Sequence, residues 1–176
     1  MDQDSPITKT SIQGLVSIKR STFLDDRGFF RESARIKEIE EATGIEFKVA
    51  QMNHSRSGKN SLRGIHIAPW NKLIYVTRGK VQSVVVDLRE GSPTYKKYES
   101  FIIGEDNKSS IFIPKGMGNS YLVLSEEADY TYLTDEEWAP GRERGVLWND
   151  PSLNIVWELN GEEPVLSEKD KQNPTI

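Results

Sequence analysis

From Asn71 to Thr94 the chain reads NKLIYVTRGKVQSVVVDLREGSPT, and this stretch constrains the fold more than any other. Two runs, KLIYVT and VQSVVVDLR, are dominated by β-branched side chains. Such side chains lose rotamer freedom in a helix and pack well on a pleated surface. The RGK between them puts Gly79 at a turn, and EGSPT marks a second turn. YESFIIG, SSIFIPKG, SYLVLS and DYTYLT follow, short runs at roughly the 8–12-residue spacing of a sandwich or barrel. ARIKEIEEATG, residues 34–44, is the one good helix: Ile36, Ile39 and Ala42 sit at helical spacing and Gly44 ends it. EEPVLSEKDKQNP reads as a short helical or loop segment closing the domain. The expectation is an all-β chain with minor α content, one domain over residues 1–176, with no repeat and no linker.

Composition narrows the function. The 176 residues carry 23 basic and 27 acidic side chains, a net charge of −4, with no long basic run. That argues against a nucleic-acid partner, although Arg56, Lys59 and Arg63 could hold one small anion. There is no cysteine, so disulfide and thiolate chemistry is excluded. No apolar run is long enough to span a membrane, and the polar opening MDQDSPITK is not a signal peptide, so the cytoplasm is the expected compartment.

His66, in SLRGIHIAPWNK, is one of two histidines. It has three readings. As a metal ligand it lacks company: a transition metal wants three or four protein ligands, and only His54 is left to join it. As a bystander it would be an ordinary strand residue, the reading that His54 keeps. As a general base it needs a group to orient the ring and a cation to hold the charge it creates. Lys72 lies nearby and Asp170, in LSEKDK, lies far along the chain. Spacing alone does not choose among the three.

DDRGFFRES, QMNHSRSGKNSLRGIH, VVVDLREGSPT, IFIPKGMGNSYLVLSEEADYTY, WNDPSLNIVW and VLSEKD occur in this order. Together they resemble the dTDP-4-dehydrorhamnose 3,5-epimerase family, over roughly residues 15–171. The resemblance implies a cupin-type jelly-roll β-barrel that uses no metal and no other cofactor. It implies an epimerase that inverts C3, C5 or both of a nucleotide-diphospho-4-keto-6-deoxy sugar. His66 falls on the family's base, Asp170 on its orienting aspartate, Lys72 on the lysine near the developing oxyanion and Tyr132 on the acid. Arg63 falls on a diphosphate contact. Arg27, Phe29 or Phe30, and Glu32 fall on a nucleotide-side segment that a dimer partner can supply. Gln51 and Asn53 fall on polar cavity residues. The resemblance also implies a homodimer.

Three positions depart from the family's pattern. The IAPWN connection from His66 to Lys72 is shorter than in the rhamnose-pathway enzymes. Asn119 stands where a GFAHGF-like motif has histidine, a version that looks like relatives acting on GDP-linked 4-keto heptoses; an amide still bonds a sugar hydroxyl or an enolate oxygen but carries no charge. Trp138 stands where a tyrosine stacks on thymine, and offers a larger stacking face. These departures leave the sugar, the nucleotide and the number of inverted centres open. A keto-isomerase, a non-catalytic sugar-nucleotide-binding cupin and a metal-dependent oxygenase are the rival readings. Surface polysaccharide or a decorated secondary metabolite is the expected context.

Overall fold

The structure is a computed structural model, and it describes residues 6–176. Its strands are β1 (Ile7–Lys9), β2 (Val16–Ile18), β3 (Phe23–Asp25), β4 (Gly28–Phe30), β5 (Gln51–Gly58), β6 (Leu62–Ile67), β7 (Lys72–Arg78), β8 (Lys80–Asp87), β9 (Tyr98–Gly104), β10 (Ser110–Ile113), β11 (Met117–Val123), β12 (Glu127–Thr134) and β13 (Arg144–Gly145). Two helices complete it, α1 (Ile36–Thr43) and α2 (Glu168–Lys171). One sheet has the order β1-β2-β10-β7-β12-β5, and a second has β13-β6-β11-β8-β9. The hairpin β3-β4 stands apart from both. Every ladder between these strands is antiparallel. This is a cupin-type jelly roll, as the family resemblance implied, and its two sheets do not close into a continuous barrel.

The unbroken apolar runs have a simple cause. Alternate side chains leave opposite faces of a strand. Val81 and Val85 of β8 join the cluster between the sheets, with Ile74, Val76, Ile111 and Ile113. Val84 and Val86 of the same strand join Ile65, Ile67, Val146 and Leu153 on the outer face. Both faces of β8 are therefore covered, so SVVVD carries valine at successive positions instead of alternating with polar residues. α1 covers part of the other sheet. Its Ile39 is fully buried beside Val16, Phe47, Leu73 and Phe112. Gly44 ends that helix in the left-handed region, with φ 72°, and its N–H bonds the Glu40 carbonyl, so the expected stop is where the helix stops. Among the described residues, no helix is long and apolar enough to cross a membrane.

Candidate active site

A cavity of about 330 Å³ opens between the sheets. One wall carries Arg63 and His66 from β6 with Asn119 and Tyr121 from β11; the facing wall carries Asn53 from β5, Lys72 from β7, and Tyr130 and Tyr132 from β12. Glu143, just before β13, also lines it.

The ladders place His66. It lies opposite Asn119 on one side and Gly145 on the other. Gly64, two residues before it, lies so close to β11 that a Cβ there would overlap Ser120 and the Asn119 carbonyl, and its φ of 121° suits glycine. The link that spacing could not supply is present: His66 Nε2 and Asp170 Oδ1 are 2.7 Å apart, from residues 104 apart in the chain. The carboxylate accepts, so Nε2 carries the proton and Nδ1 is left with its lone pair. Asp170 is buried on α2, where Ser167 caps the helix by accepting from the Asp170 N–H at 3.1 Å. Burial pushes the Asp170 carboxyl up. The His66 hydrogen bond and charge, with the Gly64 N–H, outweigh that and hold it below the ordinary carboxylate value.

Lys72 is only 7% exposed and lies 3.6 Å from Glu143. Burial pushes its ammonium down, and Glu143 opposes the shift. The ammonium also sits 5.7 Å from the centre of the Tyr132 ring. Burial raises the Tyr132 phenol, Glu143 and Tyr121 add to the rise, and Arg63 opposes it; the phenol therefore keeps its proton at neutral pH. Arg63 donates through Nε to Ser57 Oγ at 2.9 Å, leaving the ends of its fork for a ligand. Ser57 and Ser55 each bond the Tyr121 hydroxyl, at 3.2 and 3.0 Å. The Asn119 amide donates to the Tyr130 hydroxyl at 3.3 Å, and the Tyr130 and Tyr121 rings stack 4.1 Å apart.

A second groove, also about 330 Å³, shares Arg63 and His66 with the cavity and adds Ser167 and Lys169. Sequence reasoning missed Lys169, Glu143 and the pair Tyr121 and Tyr130. The two charged residues sat in ordinary charged segments, and the two tyrosines read as plain strand residues. Nothing local marked any of them.

The remaining expected residues are not in the cavity of their own chain. Gln51 donates to Asn53 at 2.6 Å and accepts the Trp138 N–H at 2.8 Å, so it ties the 135–143 segment to β5. Trp138 itself is half exposed. Arg27 pairs with Asp25 at 2.6 Å, Glu32 bonds Arg20 and Arg35, and Phe30 is 68% exposed on the β3-β4 hairpin. His54 lines the cavity and bonds Asp129 at 3.1 Å. Among the described residues, no three His, Asp or Glu side chains cluster as a metal site.

The short connection from His66 to Lys72 is firmly latched. Asn71 bonds both oxygens of Asp135 through its backbone and side chain, at 2.8 and 2.5 Å, and accepts the Lys115 N–H at 2.9 Å. Arg142 lies 5.5 Å over the buried Trp70 ring.

Comparison with known proteins supports one family throughout. The family model described as dTDP-4-dehydrorhamnose 3,5-epimerase matches residues 9–176. A dTDP-4-dehydrorhamnose 3,5-epimerase from Pseudomonas aeruginosa is 42% identical over 168 residues, 94% of this chain and 92% of that one. The crystal structure of a dTDP-6-deoxy-D-glucose-3,5-epimerase from Legionella pneumophila, in complex with dTDP-4-keto-L-rhamnose, superposes with a TM-score of 0.91 at 39% identity, covering 96% of this chain and 91% of that one. A 3'-monoepimerase from Streptomyces bikiniensis, in complex with dTDP-quinovose, gives 0.89 at 35% identity, over 94% and 85% of the two chains. With near-complete coverage in each case, the chain belongs to the dTDP-4-dehydrorhamnose 3,5-epimerase family.

Proposed function

We propose that this chain epimerises a nucleotide-diphosphate-linked 4-keto-6-deoxy sugar by moving protons on the carbons beside the ketone. One observation carries the reading: the 2.7 Å bond between His66 and Asp170, at a cavity that also holds Lys72 and Tyr132. The ketone acidifies its neighbouring C–H bonds. His66 Nδ1 takes one proton, the C–H electrons form a C=C bond, and the carbonyl electrons move onto oxygen. Asp170 fixes the ring and steadies the imidazolium. The Lys72 ammonium holds the enolate oxygen; a buried group of this kind is worth about 10²–10³-fold in kcat.

His66 and Tyr132 stand on different sheets. Packed sheets lie about 10 Å apart, so a sugar ring between them meets base and acid on opposite faces. The phenol returns a proton to the face that the base did not touch. The proton delivered is not the proton taken, and solvent resets both groups, so the product carries solvent hydrogen.

Arg63 and Lys169 hold the diphosphate in the adjoining groove, a role for which an Arg fork is well shaped. Asn53 and Asn119 bond sugar or enolate oxygens, Gln51 sets Asn53, and Trp138 stacks on the base. Two of the three relatives described above carry dTDP in their names and the third is in complex with dTDP-quinovose, so a dTDP-linked sugar is the first candidate. They include both 3,5-epimerases and a 3'-monoepimerase, so either C3 alone or both centres can be the target. The exposed β3-β4 hairpin and the connection just after it bring Arg27, Phe30 and Glu32 to the nucleotide of a second copy, within a homodimer.

The test is incubation with dTDP-, CDP- and GDP-linked 4-keto-6-deoxy sugars in heavy water, read by NMR. Deuterium enters C3, C5 or both in the preferred sugar. His66→Asn abolishes the uptake and keeps dTDP binding. Exchange that persists in that variant overturns the role of His66. Binding without exchange marks a non-catalytic carrier, and a displaced carbonyl marks a keto-isomerase.

A further inference from the structure

We infer that Asn173 is a positioning residue for the His66–Asp170 pair, held in place by a strap formed by residues 172–176. The inference rests on His66 as the base. The Asn173 amide donates to Asp170 Oδ1 at 3.4 Å, the same oxygen that His66 bonds at 2.7 Å. Its seat is made for it. A Cβ on Gly145 would overlap the Asn173 side chain, so the amide occupies the space that glycine leaves. Gly145 is the ladder partner of His66 across β13 and β6. One side chain thus touches the strand beside the base and the carboxylate that orients it.

The strap is anchored beyond Asn173. The Leu147 N–H donates to the Pro174 carbonyl at 2.8 Å. The Ile176 N–H donates to Asp150 Oδ2 at 2.7 Å, and Asp150 is buried and also accepts from Ser152 N–H at 2.7 Å. α2 has a single turn and little packing of its own, since Asp170 is its one buried residue. The strap therefore holds the end of α2 against the 145–150 segment and keeps Asp170 on the His66 ring.

Sharing one carboxylate oxygen between two donors weakens each bond. Asn173→Ala unhooks Asp170 from the strap, so the pair is in register less of the time and kcat falls. Whenever it is in register, His66 has the whole oxygen and its imidazolium gains stability. The ring then holds its proton to higher pH, and the acid limb of kcat moves up. The titratable and charged groups that share the cavity or the groove with His66 are Asp170, Arg63, Lys72, Glu143, Lys169, His54, Tyr121, Tyr130 and Tyr132; of these, the substitution removes a bond from Asp170 alone.

The experiment pairs kinetics on a dTDP-linked 4-keto-6-deoxy sugar with an NMR titration of the histidine rings in the free protein. The His66→Asn spectrum identifies the His66 signal, because the chain has two histidines. Asn173→Ala raises the His66 titration by about 0.3–1 pH unit and lowers kcat about three- to tenfold, with KM within about twofold. Asp150→Ala, which frees the far end of the strap, lowers kcat in the same direction. Wild-type kcat and an unmoved His66 titration in Asn173→Ala overturn the inference, and so does a wild-type kcat in Asp150→Ala. The titration needs no turnover, so failure of His66 as the base is read separately, from exchange that persists in His66→Asn.

Discussion

Glu143 decides how long Lys72 stays charged. Burial favours the neutral amine, and the carboxylate 3.6 Å away resists it. In Glu143→Gln the burial acts with less opposition, so Lys72 loses its proton at lower pH and the enolate loses its cation there too. The alkaline limb of the kcat profile therefore moves to lower pH, which a pH–rate series measures. Tyr132 separates inversion from exchange. Without its phenol, His66 still removes a proton and returns one to the same face. Tyr132→Phe lowers inversion by about 10²–10⁴-fold, while deuterium uptake falls less, as NMR of the recovered sugar shows. The sequence named both residues of the His66–Asp170 pair through resemblance. It could not show their contact, because 104 residues separate them and only the docking of α2 against β6 joins them. Asn173 carried no signal at all; its meaning depends on the bare face of Gly145 in another element.

β7 and β8 announced themselves because both faces of each are largely covered, whereas β5, as long as β8 but polar and alternately exposed, did not. KLIYVT, across an obvious turn, pairs with β10 and β12 in the other sheet, while VQSVVVD, which could hardly be anything else, lies between β11 and β9. The end of that strand carries a second buried charge. Asp87 has no exposed side-chain surface and accepts from Arg89, Ser92 and Thr94 at 2.6–2.8 Å. Burial pushes its carboxyl up, but those donors bring it well below the ordinary range. A depressed carboxylate contributes stability above its unfolded pKa of about 4, and loses it as pH falls through the folded value. Asp87→Asn costs about 1.5–3 kcal/mol near neutrality, and the deficit against wild type shrinks in strong acid; urea melts at pH 7 and pH 2 test both. Shorter elements escaped reading. β3, β4 and β13 have two or three residues each and carry FLD, GFF and RG where β-branched side chains would have betrayed them. Their existence depends on partners brought from elsewhere, which no local pattern records.

At the scale of the whole molecule, the β3-β4 hairpin is the least self-sufficient part. Phe23, Leu24, Phe29 and Phe30 are 56–81% exposed on it. Contiguous apolar surface of this kind is normally covered by a partner. Sedimentation should give a dimer of the wild-type chain. Leu24→Asp, at the most exposed of the four, should shift it toward monomer and lower kcat/KM while leaving the His66 titration where it was. A wild-type monomer with full activity would remove the hairpin from the site. The connection from His66 to Lys72 works in the opposite sense, as a fixed ruler. Asn71 is gripped by Asp135 and Trp70 lies under Arg142, so two stretches of chain form one mechanical unit. Anyone who grafts a longer connector here to retarget the scaffold would strand Asp135 and Arg142 without their mates. The transplant unit for such engineering is the connector together with residues 135–143, and half of it alone would yield a loosened protein instead of a new specificity.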